Sequence, residues 1–110
     1  MNETEFVAAA EATLERIEQA VEAAADSADV DIDIEVMPDG VLKLVFADDS
    51  QMIINRHLAA REIWVAARSG GFHFRPEGTA WVGTRDGGDL WVALETLVSE
   101  QAGQTLTLRA

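Results

Sequence analysis

Residues 11–33, EATLERIEQAVEAAADSADVDID, decide how the rest of the chain is interpreted. Acidic residues recur here at steps of three or four, namely Glu11, Glu15, Glu18, Glu22, Asp26, Asp29 and Asp33. A helix turns by about 100° per residue, so the first five of them share about 80° of its circumference. A separate stripe holds the apolar residues Val7, Ala10, Leu14, Ile17 and Val21. We therefore expect a first helix with an apolar face for the core and an acidic face for solvent.

The acidity is concentrated at one end of the chain. The formal net charge is −12, and residues 1–35 hold eleven acids and one base, whereas residues 36–110 hold nine acids and seven bases. Like charges one helical turn apart cost a few tenths of a kcal/mol per pair. The acidic face is therefore either a solvated surface or a surface that attracts cations or basic proteins. It disfavours nucleic-acid binding, because phosphate groups require Lys and Arg.

The composition restricts the class of protein. With 110 residues, 48% of them hydrophobic, the chain can form one domain over residues 1–110 with a real core. The sequence has no cysteine, which excludes disulfides, thiolate metal sites and cysteine nucleophiles. No apolar run approaches the roughly 20 residues of a membrane span. The acidic N-terminus does not resemble a signal or transit peptide, so we expect a cytoplasmic protein that contacts no membrane.

The pattern of elements predicts an α+β fold. The first helix should run from about Thr4 to Ala25, capped by Thr4 or Asn2, and the second from Asp89 to about Gln101. Six short strands are predicted between them: Asp31 to Val36, Val41 to Phe46, Gln51 to Arg56, Glu62 to Arg68, Phe72 to Arg75 and Ala80 to Thr84. The closely spaced turns imply an antiparallel meander. We expect a two-layer sandwich, with both helices on one face of the sheet and the tail, residues 104–110, over the core.

Alternation along the strands places unusual residues on the outer face of the sheet. If Ile63 and Val65 face the core, Trp64 lies on the opposite, solvated side. The same alternation directs Asn55 and His73 outward. A large aromatic side chain on a wet face is a candidate anchor for a protein partner. The alternative is that Trp64 packs flat across its neighbours and only covers the sheet.

These residues make the chain similar to the bacterial frataxins, the CyaY family. The resemblance rests on the acidic first helix and on short segments in order along nearly the whole chain: DVDID at 29–33, GVL at 40–42, INR at 54–56, IWV at 63–65, GGFHF at 70–74, Trp81 and GDLW at 88–91. It implies the αβ sandwich reached above. One departure is the stretch at 57–61, HLAAR, where the family usually has a proline.

The resemblance also implies a function and its residues. Family members bind iron weakly and act in iron–sulfur cluster assembly, where they contact the cysteine desulfurase and its scaffold partner. The implied iron ligands are Glu11, Glu15, Glu18, Glu22, Asp26, Asp29, Asp31 and Asp33. The implied partner-binding residues are Asn55, Trp64 and His73, and His57 matches another position on the sheet surface. The charge of −12 favours a monomer at low iron.

Physical chemistry limits what such ligands can do. Carboxylates suit hard cations such as Fe, Mn, Mg or Ca, but a row on one convex helix cannot surround an ion, so binding should be weak and water-rich. No enzyme motif such as HExxH, GxSxG or a P-loop is present. We therefore expect a non-catalytic adaptor. The alternatives are a ferroxidase or iron store, and an acidic interaction domain without a metal.

Overall fold

The acidic stretch forms most of a long first helix. The computed structural model describes residues 1–109, and in it α1 spans Glu3–Ala28. The side chain of Asn2 accepts a hydrogen bond from the amide of Glu5, and the Glu5 carboxylate accepts one from the amide of Asn2. This reciprocal capping satisfies two amides that the first turn leaves unpaired. The helix ends where Asp29 adopts a left-handed conformation, with φ of 55°.

Six antiparallel strands follow as a simple meander. The sheet has the strand order β1-β2-β3-β4-β5-β6, so each strand pairs with its neighbours in the sequence. The bounds are β1 (Ile32–Met37), β2 (Val41–Phe46), β3 (Gln51–His57), β4 (Glu62–Ala67), β5 (Gly70–Glu77) and β6 (Ala80–Gly83). The predicted meander is confirmed.

The core lies between one face of this sheet and the two helices. Helix α2 spans Leu90–Ala102, with Asp89 as its N-cap and Gly103 as its C-cap. Sheet residues in the core include Leu42, Leu44, Met52, Ile54, Ile63, Val65 and Phe74, and helix residues include Phe6, Ile17, Val21, Leu90, Leu94 and Val98. Leu106 and Leu108 from the tail are also buried. The predicted α+β two-layer sandwich is confirmed; of the tail, Ala110 lies outside the described residues.

The structure corrects several predicted boundaries. Helix α1 continues three residues past Ala25, because the left-handed residue that ends it is Asp29. Strand β1 begins one residue late, so Asp31 precedes it. Strand β5 is twice as long as predicted, since it begins at Gly70 and continues through Pro76 near its end. Gly70, Gly71 and Pro76 are residue types that favour turns, but in this structure the pairing of β5 extends over all three.

Within residues 1–109, no helix combines the length and the apolar character that crossing a membrane requires.

A buried amide joins α2 to two turns of the sheet. The side chain of Gln101 is 5% exposed. Its Nε2 donates to the Ser50 hydroxyl at 3.0 Å and to the Gln51 carbonyl at 2.9 Å, and its Oε1 accepts from the Arg68 amide at 3.3 Å. Ser50 also donates its hydroxyl and its amide to Asp48, and together with the Asp48–Arg68 ion pair these bonds hold the pKa of Asp48 below its ordinary value.

Replacing Gln101 by Leu should destabilise the domain without changing its fold. The substitution leaves the Gln51 carbonyl and the Arg68 amide without their side-chain partner in a part-buried place, which we expect to cost about 2 kcal/mol. Urea unfolding followed by circular dichroism measures this loss. The matched control is Gln104→Leu, because Gln104 donates to the Ala28 carbonyl at an exposed position. Equal unfolding free energies for the two variants would contradict the assigned role.

Candidate functional site

The predicted metal ligands occupy three different places. Glu11, Glu15, Glu18, Glu22 and Asp26 lie along one side of α1, and we call these five residues the acidic ridge. All of them are exposed except Glu18, which is half-buried. Asp29 is the C-cap of the helix, Asp31 lies in the connection, and Asp33 lies on β1. Asp29, Asp31 and Asp33 are also exposed.

One carboxylate of the ridge is already paired. The Arg56 Nη1 atom lies 2.7 Å from Glu11 Oε1. Arg56 reaches this position by crossing Gly40, where a Cβ atom would lie only 2.8 Å from the Arg56 Cδ. Gly40 is therefore the residue that lets the guanidinium approach α1. In the part of the chain that the structure describes, the other seven predicted ligands form no ion pair, so the rest of the ridge remains negative.

The structure does not bring the eight predicted ligands into one site. Among residues 1–109, no three His, Asp or Glu side chains lie close enough together to hold a metal ion. The ridge is convex, and Asp33 alternates with the buried side of β1, so it faces the side of the sheet opposite to α1. A cation near this surface would meet a negative field and carboxylates that act one at a time. Water would therefore fill most of its coordination shell.

The predicted partner-binding residues do lie side by side. Asn55, Trp64 and His73 occupy paired positions on β3, β4 and β5, and all three face the side of the sheet away from the helices. Asn55 and Trp64 are half-buried, and the His73 side chain is 44% exposed. The strand register thus places these three residues in one row across the centre of the outer face.

Trp64 is held between two imidazole rings. The His57 ring stacks on it with a centroid distance of 3.7 Å and an interplanar angle of 14°, and the His73 ring with 4.1 Å and 9°. His57 comes from β3 and His73 from β5, so they cover opposite faces of the indole. They therefore cannot share a metal ion. We call His57, Trp64 and His73 the aromatic stack.

Further contacts fix this stack. The indole Nε1 donates to Glu62 Oε1 at 2.7 Å, and the same oxygen lies 3.9 Å from His73 Nδ1. His57 Nδ1 accepts a hydrogen bond from the Ala60 amide at 3.2 Å, which closes the turn between β3 and β4. The sequence placed His57 on the sheet surface but did not predict its contact with Trp64, nor that of Glu62. The signal was available, since His57 is a diagonal neighbour of Trp64 across two strands.

Comparisons with known proteins agree with this architecture. A family model described as a frataxin-like domain matches residues 1–104. The iron–sulfur cluster assembly protein CyaY of Dechloromonas aromatica is 52% identical over 109 residues, covering 99% of this chain and 100% of that protein. The protein of the same name from Cupriavidus metallidurans is 49% identical over 109 residues, covering 99% and 97% respectively.

Solved structures show the same fold. Frataxin from Psychromonas ingrahamii superimposes with a TM-score of 0.86 at 24% identity, with full coverage of both chains. A trimeric frataxin from Saccharomyces cerevisiae, complexed with ferrous iron, gives a TM-score of 0.74 at 24% identity and covers 87% of each chain. At this identity the likeness concerns the fold.

Proposed function

The chain belongs to the frataxin-like family, and from this premise we propose that it is a non-catalytic adaptor of iron–sulfur cluster assembly. The relatives at about 50% identity carry that assembly role in their names. In this proposal the chain binds iron weakly as cargo and docks onto the cysteine desulfurase and its scaffold protein. It acts in the cytoplasm and, at low iron, as a monomer.

The unpaired row of carboxylates on α1 is the observation that carries the proposal. Glu15, Glu18, Glu22 and Asp26 project from one side of the helix, and within residues 1–109 none of them has a basic partner. Such a row attracts cations and basic protein surfaces from a distance. Asp29, Asp31 and Asp33 extend the same field beyond the end of the helix, and Glu11 contributes less because Arg56 neutralises it.

The geometry favours an adaptor over a ferroxidase or an iron store. Oxidation of iron at a fixed site needs several ligands that converge on the ion from different directions. The ridge is convex, and Asp33 points away from it, so these carboxylates do not converge. Oxygen consumption at a fixed stoichiometry on Fe(II) addition would favour the enzyme instead. An NMR titration with Fe(II) that moved no α1 amide would favour an interaction domain without a metal role.

Binding to the cysteine desulfurase should weaken as salt is added. Charges exposed on the ridge are screened over about 8 Å at physiological ionic strength and over about 3 Å at 1 M. A titration by calorimetry at low and high salt, with the full chain and the purified desulfurase, measures the effect. We expect affinity to fall at least tenfold between about 50 mM and about 500 mM salt. Binding that is absent at low salt would contradict the proposed partner.

A further inference from the structure

The edge of β5 is covered by β6 over only part of its length. Strand β6 pairs with β5 from Glu77 back to Phe74, and beyond it the Thr84 amide donates to the His73 carbonyl at 2.9 Å. The backbone groups of successive residues in a strand point alternately to its two neighbours, so those of Gly71 point the same way as those of His73. Within residues 1–109, the amide and the carbonyl of Gly71 have no backbone partner on that side. The beginning of β5 is therefore an open strand edge.

An apolar groove lies directly beside this open edge. It has a volume of about 730 Å³ and runs between the beginning of β5 and α2. Phe72 lines it from the strand, where it is half-buried on the same side of the sheet as its pairing partner Val65. The lining from α2 includes Ala93, Leu97 and Val92, and Val92 is 66% exposed. A strand placed at the open edge could therefore insert an apolar side chain between β5 and α2.

The two ends of the groove carry opposite charges. Arg85 lies in the loop that leads into α2, and Glu100 lies in the last turn of α2, beside the β4–β5 turn. Both are exposed, and neither forms an ion pair with any described residue. The other two acids of the lining already accept hydrogen bonds from backbone amides, Asp86 from Gly88 and Asp89 from the first turn of α2. A complementary ligand therefore has a negative group near Arg85 and a positive group near Glu100.

We propose that this edge and groove bind an extended peptide segment of a partner protein, which adds a strand antiparallel to β5 where β6 has ended. Its backbone bonds the free groups of Gly71, and its central side chain enters the groove, as in other cases of strand addition to a sheet edge. A segment that continues the direction of β6 begins near Arg85 and ends near Glu100. It therefore carries an acidic, an apolar and a basic residue, in that order, at alternate positions.

The edge itself argues for a peptide rather than a lipid or a compact apolar molecule. Such a molecule would fill the groove but leave the amide and the carbonyl of Gly71 without partners, whereas an extended backbone pairs with both. The site shares no residue with the acidic ridge, so the inference goes beyond the proposed function and does not depend on it.

The probe is a pentapeptide with blocked ends, composed of glutamate, threonine, valine, threonine and lysine in that order. Titration into the ¹⁵N-labelled full chain, followed by NMR, should shift the amides of Gly71, His73 and the facing side of α2. Gly71→Pro removes the edge amide, which is tolerated at an open edge, and should weaken binding about tenfold. The matched control is Gly71→Ala, which keeps the amide and whose Cβ meets no atom within 4 Å, so it should bind like the parent.

An exchange of charges tests the direction of the segment and does not depend on the proline variant being folded. Arg85→Glu combined with Glu100→Arg changes two exposed residues and leaves the net charge at −12. The parent should bind the probe about fivefold more tightly than a peptide with its glutamate and lysine exchanged, and the double variant should reverse this preference.

The remaining outcomes would overturn the proposal. Unchanged amides of Gly71 and His73 on peptide addition would do so, whether or not the chain binds the desulfurase. An equal loss of binding in Gly71→Ala, or the same preference in the parent and the charge-exchanged variant, would show that the peptide does not bind in the proposed position. Shifts of these amides that grow with protein concentration without peptide would assign the edge to a second copy of this chain instead.

Discussion

Reversing Glu18 and Glu22 to Lys should lower the affinity for the cysteine desulfurase at least a hundredfold. The two residues lie one turn apart in the middle of the acidic ridge, where they form no ion pair with any described residue. Facing a basic patch, the new lysines replace attraction by repulsion, and like charges brought together at an interface cost several kcal/mol. Each 1.4 kcal/mol is a factor of about ten in affinity.

The variant should fold at least as well as the parent. In the parent, Glu18 repels Glu15 and Glu22, and Glu22 repels Asp26, because these pairs are three or four residues apart on α1. After reversal, the two introduced lysines face Glu15 and Asp26 with opposite charge, which offsets their repulsion of each other. Loss of binding would therefore report the interface rather than unfolding, and thermal unfolding followed by circular dichroism checks this.

A charge-matched control distinguishes the effect of the ridge charges from the effect of the net charge. Each Glu→Lys change adds two positive units, so the double reversal moves the net charge from −12 to −8. Glu77→Lys with Glu100→Lys produces the same total at two exposed positions outside the ridge. Calorimetry with the desulfurase should show weakened binding only for the ridge variant. Similar affinities in the two variants would mean that net charge, and not the ridge, determines binding.

Local pattern was sufficient to predict the layers of this fold. Leu42, Leu44 and Phe46 alternate along β2, the pattern of a strand with one buried face, and all three are 3% exposed or less. Leu90, Leu94 and Val98 are spaced by four residues, the pattern of one helix face, and all three are fully buried on α2. These signals are local because each strand pairs with its neighbour in sequence, so register follows from hairpins rather than from distant contacts.

The exposure of Val36 could not be predicted in this way. Val36 shares one side of β1 with Ile32 and Ile34, as the alternation of the strand requires, yet it is 67% exposed. Its exposure depends on where α1 crosses the sheet, which is a tertiary property that no strand pattern contains. The same holds for Glu11, whose ion pair with Arg56 joins residues 45 positions apart. The aromatic stack was predictable only in part. The sequence identified its three residues as surface residues, but it did not predict that their rings stack.

Replacing Trp64 by Ala should weaken the complex about thirtyfold and leave the domain folded. An aromatic anchor at the centre of an interface is typically worth about 2 kcal/mol when truncated. Trp64 is half-buried on the face away from the core, and its ring contacts are the two stacked imidazoles. Its loss therefore opens no cavity in the core and releases His57 and His73 from their fixed orientation. Calorimetry with the desulfurase, together with urea unfolding, measures both effects.

Trp64→Phe distinguishes the ring from its hydrogen bond. Phenylalanine keeps an aromatic plate between His57 and His73 but cannot donate to Glu62, as the indole Nε1 does at 2.7 Å. If the stack presents the partner with a rigid surface, the Phe variant should stay within about threefold of the parent affinity, because stacking needs only a flat ring. Parent-like binding by Trp64→Ala would mean that the indole only covers the sheet. The contact surface would then be confined to the acidic ridge.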